Sequence, residues 1–154
     1  MPQRKEGIFS MPTFNDPMLM RQIIMDHYEH PRNRVKLNLP GVQSIHMDTS
    51  GCIDDIDVNL LLENGIIKAL SFEGVACTIS TASTSIMTEL LMGKSKKEAI
   101  YVIEQYMKMI HAQPYDSSVL GEAMVFQNTY KQASRIKCAT LAWQGLSSLL
   151  KEEK

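Results

Sequence analysis

The chain has 154 residues with 16 basic and 17 acidic side chains, a formal net charge of −1, and 44% hydrophobic residues. That length suits one domain able to bury a core without disulfide staples. The balanced charge argues against a nucleic-acid binder, which normally carries a basic excess, and gives no attraction to anionic membranes.

Residues 1–14 hold two prolines, a glycine and no hydrophobic period, and read as a loosely ordered tail; residues 15–154 read as a single domain. The tail lacks the long apolar run of a secretory signal, and no stretch approaches the ~18 apolar residues that span a bilayer. A cytoplasmic protein with reduced thiols is the expectation.

The first helix is expected over Met18–Glu29, with Asp16 as cap and Pro17 at the first helical position. His30-Pro31 ends it, because the residue before proline is pushed out of helical geometry. A polar loop, Arg32–Gly41, follows. Val42–Met47 reads as a strand. Ile56–Leu62 reads as a second, with Ile56, Val58, Leu60 and Leu62 alternating onto one face. Asn64-Gly65 is a two-residue hairpin turn, and Ile66–Phe72 returns as the third strand of an antiparallel meander. Thr78–Met92 then reads as a helix ending at Gly93. Ser95 with Glu98 forms a capping-box pattern that opens another, through about His111. Pro114 breaks the chain, residues 116–134 suit a short helix and a loop, and Cys138–Lys151 forms the last helix. Strands first and helices after predict an α+β fold, a small three-stranded antiparallel sheet with helices on one face.

The three cysteines, Cys52, Cys77 and Cys138, all fall at element boundaries, where a rigid scaffold exposes reactive groups. An odd, sparse set is no secreted disulfide framework. Placed at helix starts, Cys77 and Cys138 should have lowered thiol pKa values, with Arg135 and Lys137 adding positive charge nearby. The meander brings Cys52 and Cys77 to one end, and Cys138 must arrive by its helix docking alongside. A tetrahedral ion then lacks one ligand. Asp54 points the same way as Cys52 in an extended segment and is the natural fourth; Asp55 and Asp57 compete. Spacing alone leaves three readings open: buried core cysteines, a metal site and a lone catalytic thiol.

Three segments carry a resemblance: IIMDHYEHPRN (residues 23–33), FEGVACTISTASTSIMTELLMGKS (72–95) and RIKCATLAW (135–143). Together they resemble the U-type iron–sulfur assembly proteins, the IscU/SufU family found also as the N-terminal domain of NifU. The interval between Cys77 and Cys138, and Lys137 in place of a histidine, are similar to the SufU branch. The resemblance implies zinc held by Cys52, Asp54, Cys77 and Cys138, with Cys52 accepting persulfide sulfur from a cysteine desulfurase of SufS type. It implies that Arg135 holds the aspartate when it leaves the metal, and that sulfur passes on to a cluster scaffold or thiol reductant. The rival implication is a scaffold that builds a [2Fe–2S] cluster on the same four residues. Family members read Asn-Pro-x-Cys-Gly-Asp around the first cysteine. This chain reads Thr-Ser-Gly-Cys-Ile-Asp, and a β-branched Ile53 resists the positive φ that glycine permits.

The remaining expectations are structural. His27 and His30 are expected at the surface or at a partner contact, and His46 and His111 without ligand-type neighbours. The methionines and Trp143 should fill the core. The Ser/Thr run at 78–85 should hydrogen-bond its own helix.

Overall fold

The computed structural model describes residues 15–152, so the expected N-terminal tail lies outside the described residues. Helix α1, Pro17–Glu29, starts where Asp16 accepts the Met18 N–H at 3.0 Å and stops at His30. Strands β1 (Gln43–Asp48), β2 (Asp55–Glu63) and β3 (Ile66–Val75) form one antiparallel sheet in the order β1-β2-β3. Asn64 and Gly65 close the β2–β3 hairpin, both at positive φ. Helices α2 (Thr78–Leu91), α3 (Lys96–Ile110) and α4 (Ala133–Glu152) follow, with three short 3-10 turns between α3 and α4. The expected α+β architecture is the observed one.

Three boundaries move. Strand β3 runs on to Val75, three residues past the expected end, and so delivers Cys77 directly from its last pairs. Gly74 permits this extension: its φ is +117°, and a Cβ there would stand 2.3 Å from the Asp55 carbonyl oxygen. Residues 117–131 form the three 3-10 turns. Helix α4 begins at Ala133, five residues before Cys138, so that cysteine lies in the second turn and does not open the helix.

The sheet turns its apolar residues toward the helices. Ile56, Val58, Leu60, Ile67, Leu70 and Phe72 are all 1% exposed or less. Each buried side chain of this size contributes about 1.5–3 kcal/mol. Trp143 and Tyr106 are 0% exposed and stack with ring centroids 3.8 Å apart. They belong to a buried polar network joining α2, α3 and α4. Ser83 Oγ donates to the Ala139 carbonyl at 2.7 Å, Tyr106 Oη donates to the same oxygen at 2.7 Å, and Trp143 Nε1 donates to Ser83 Oγ at 2.8 Å. The network pins the α4 backbone next to Cys138 onto the helix that begins at Cys77.

The Ser/Thr run therefore does more than serve its own helix. Thr84 bonds back to the Ser80 carbonyl as expected, while Ser83 and Ser85 bond other elements. His27 is 1% exposed, not at the surface. Its Nδ1 meets Ser85 Oγ at 2.7 Å and its Nε2 meets Glu122 Oε1 at 2.8 Å, which ties α1 to α2 and to the second 3-10 turn. The Arg32 backbone N–H donates to the same Ser85 hydroxyl.

Candidate metal centre

Four side chains from three parts of the chain converge at one end of the sheet. Cys52 and Asp54 come from the β1–β2 loop, Cys77 from the β3–α2 junction and Cys138 from α4. One ligand atom of each lies within 4.8 Å of all the others. Cys52 Sγ and Cys138 Sγ are 3.7 Å apart, and Cys77 Sγ is 3.9 Å from Asp54 Oδ2.

Local structure explains each placement. The β1–β2 loop is closed by the Thr49 N–H donating to the Asp54 carbonyl at 3.3 Å. Its positive φ falls on Gly51, at +81°, and Ile53 stays out of that region. The shifted glycine thus supplies the left-handed residue one position ahead of the cysteine, and the side chain of Ile53 points into solvent, 61% exposed. Cys77 is the N-cap of α2: its Sγ accepts the Ser80 N–H at 3.4 Å, and its own N–H donates to Asp54 Oδ1 at 2.8 Å. Asp55 and Asp57 are not in the group; they point to the outer face of the sheet beside His46.

Exposure separates the three thiols. Cys52 is exposed, Cys77 half-buried and Cys138 only 9% exposed. The Asp54 backbone N–H bonds to Cys52 Sγ and lowers its pKa. Burial raises the pKa of Cys77, and raises that of Cys138 strongly. The lowering expected at helix starts is therefore absent from both. At Cys138 the helix began a turn and a half earlier, and at Cys77 desolvation outweighs the N–H groups of the cap.

The donor set fits a cation. Asp54 is 1% exposed, and its described side-chain partners are one backbone N–H and the thiols of Cys77 and Cys138. No basic side chain among the described residues pairs with it. A buried carboxylate without counter-charge is costly, and beside three sulfurs it completes a four-donor set of zinc type. Two hydroxyls near the group, Thr49 Oγ1 and Ser80 Oγ, are buried with no hydrogen-bond partner. Sequence reasoning missed both, since nothing in the local pattern distinguishes them from other Ser/Thr residues. Arg135 is exposed in the first turn of α4, three residues before Cys138, and forms no ion pair with Asp54.

Two other groups look similar and are built differently. His27, Glu89 and Glu122 also bring ligand-type atoms within 4.8 Å, but both His27 nitrogens are already engaged and Arg32 Nε lies 4.0 Å from Glu89 Oε1. Its charges are answered internally. On the outer sheet face His46 stands among Asp57 (2.8 Å), Asp55 (3.0 Å) and Asp48 (3.7 Å), where the sequence reading expected no such neighbours. The antiparallel register places His46 opposite Asp57 and Asp48 opposite Asp55.

Known proteins carry the same arrangement of sequence. The chain is 38% identical over 137 residues to the zinc-dependent sulfurtransferase SufU of Bacillus subtilis (strain 168), covering 88% of this chain and 92% of that one. It is 34% identical to the iron–sulfur cluster assembly scaffold protein IscU of Streptococcus pyogenes serotype M1, over 86% of this chain and 83% of the relative. The crystal structure of SufU from Fervidobacterium islandicum AW-1 matches with a TM-score of 0.77 at 30% identity, covering 84% of this chain and 94% of that one. Residues 19–139 match the NifU-like N terminal domain, and the chain belongs to that family.

Proposed function

We propose that this protein serves iron–sulfur cluster assembly as a zinc-holding sulfur acceptor, taking persulfide sulfur through Cys52 from a cysteine desulfurase in the cytoplasm. The observation that carries the reading is one exposed thiol, Cys52, gathered with two less accessible thiols and a buried carboxylate within 4.8 Å. The names of the SufU and IscU relatives support it. In this reading Cys52, Asp54, Cys77 and Cys138 hold the ion. Bound zinc supplies a positive charge that keeps the thiols deprotonated and answers the Asp54 carboxylate.

The chain's own residues divide the remaining work. Cys77 and Cys138 are fixed by a helix cap and by the pinned backbone of α4, so they stay in place. Cys52 sits on a loop that a partner's surface can reach. Its thiolate attacks the outer sulfur of the desulfurase persulfide; a new S–S bond forms on Cys52 as the old one breaks, and the desulfurase cysteine leaves as thiolate. In this reading Arg135, three residues before Cys138 on α4, takes up the Asp54 carboxylate once it is released. A SufS-type desulfurase is the proposed donor, and a cluster scaffold or thiol reductant the recipient.

The test is metal analysis of the purified full chain together with desulfurase turnover in its presence. One zinc per chain, and stimulation that disappears in Cys52→Ala, are expected. An oxygen-sensitive visible chromophore on the isolated protein, with no stimulation of turnover, would overturn the transfer reading in favour of a [2Fe–2S] scaffold using the same four residues.

A further inference from the structure

We propose that Cys52 and Cys138 are a redox modification site: with the ion removed, a peroxide-class oxidant closes them into a reversible intramolecular disulfide that masks the exposed thiol. The inference rests on the ion-holding part of the proposed function and not on sulfur transfer.

Geometry selects the pair. The two sulfurs are already in contact at 3.7 Å. A disulfide bond is about 2.05 Å long, so closure needs less than about 2 Å of travel. Cys52 is able to supply that travel. It is exposed, its neighbour Gly51 has open space where a Cβ would be, and its loop is held by one 3.3 Å backbone hydrogen bond together with the backbone N–H groups on its sulfur. Cys138 stays where it is, since the adjacent Ala139 carbonyl accepts from both Ser83 and Tyr106. Cys77 is the poorer partner for either. Drawing its sulfur into a disulfide removes the acceptor for the Ser80 N–H and disturbs the N–H bond to Asp54.

The chemistry balances. The Cys52 thiolate attacks peroxide and becomes a sulfenic acid as the first water leaves. The Cys138 thiol then attacks that sulfur, forms the S–S bond and expels the second water. Two thiols lose two hydrogens and two electrons, and one hydrogen peroxide is reduced to two waters. Closure leaves Cys77 and Asp54 as the remaining donors, two short of a tetrahedral set, so the ion cannot be reloaded until a dithiol reopens the bond. It also keeps Cys52 from advancing to an irreversible sulfinic acid.

Full-length protein stripped with a chelator and treated with hydrogen peroxide gives the test. Free thiols are then alkylated, and the chain is digested without reductant for mass spectrometry. The expected result is a loss of two hydrogens, a single link between the Cys52 and Cys138 peptides, an alkylated Cys77, and reversal by dithiothreitol. Apparent zinc affinity should fall at least ~100-fold until reduction, as expected when two of four donors are lost. Cys77→Ser, whose hydroxyl is a good N-cap, should close equally well. A link through Cys77, a disulfide between chains, or sulfinic acid on Cys52 with Cys138 still alkylatable would each overturn the proposal.

Discussion

Helix α2 carries two polar clusters, and they are built on opposite terms. At its start, Cys77 joins Cys52, Asp54 and Cys138, where a buried carboxylate lacks a counter-charge and two nearby hydroxyls lack partners. Six residues on, about 9 Å along the axis, Ser83 joins Tyr106, Trp143 and the Ala139 carbonyl, and every hydrogen-bonding atom is used. Ser83 gives its proton to the Ala139 oxygen and receives one from the indole, and Tyr106 donates to that same oxygen. The satisfied cluster holds the fold together. The other buries the Asp54 carboxylate among three thiols with no basic side chain paired to it among the described residues, a donor set that suits a cation.

The contrast makes opposite predictions for the two ends. Trp143→Ala empties a fully buried site and removes the stacking partner of Tyr106. Denaturant unfolding should record a loss of about 3–5 kcal/mol. If the loss is under 1 kcal/mol, the network is not what fixes α4.

Asp54→Asn attacks the other end. The amide keeps an acceptor for the Cys77 N–H and removes the buried charge. Zinc-finger-type sites gain ~10–16 kcal/mol from four donors, so losing one should weaken affinity roughly 10²–10³-fold. Competition with a chromophoric chelator measures that. The metal-free fold of the same variant should be unchanged or more stable, since a charge no longer has to be buried. Equal destabilisation of metal-free and metal-loaded forms would mean that Asp54 is a structural residue like Ser83.

Ser83→Ala should cost about 1–3 kcal/mol, because the Trp143 N–H is left buried without an acceptor. It should also loosen the spacing between Cys77 and Cys138, since the hydrogen bond from α2 to the Ala139 carbonyl is lost and only the Tyr106 bond from α3 remains. The readout is a fall in zinc affinity smaller than that of Asp54→Asn. Unaltered affinity would show that the two clusters are energetically independent despite sharing α2 and α4.

Some of this was legible in the sequence because its causes are local. The Asn64-Gly65 hairpin and the Ser95–Glu98 capping box formed as read, the latter with both reciprocal hydrogen bonds present. The three cysteines converge because strand and helix order force them to. What was not legible depends on distant partners. His27 finds Ser85 58 residues away and Glu122 95 residues away, so its burial has no local signature. Residues 117–131 fold as 3-10 turns against the core, with no helical period of their own to announce them. The first turn of α4 carries Ser134, Arg135 and Lys137 on the surface, and the apolar stripe that marks a helix begins only later. Loop chemistry misled in the opposite sense. Ile53 looked incompatible with the turn until the positive φ proved to sit on Gly51.

The smallest expected effect tests whether the outer sheet face belongs with either cluster. His46 is exposed, and three acidic groups lie beside it: Asp48 on its own strand and Asp55 and Asp57 on β2, with Glu73 on β3 paired opposite Asp57. The hydrogen bond to Asp57 comes first in raising its pKa above the usual 6.5, with Asp55 and Asp48 adding to it. A histidine whose folded pKa is raised contributes stability that is fully present below the unfolded value and is lost as pH rises through the folded one. The thermal midpoint difference between the wild type and His46→Gln should therefore be present at about pH 6 and vanish by about pH 8.5. Titration of the imidazole by NMR should give a midpoint above 6.5 that moves down in Asp57→Asn. Because neither His46 nor Asp57 is among the four gathered side chains, zinc affinity should be the same in both variants. A drop in affinity would mean that the sheet face and the ion share one electrostatic field, and that the boundary of the functional cluster lies beyond the side chains that hold the ion.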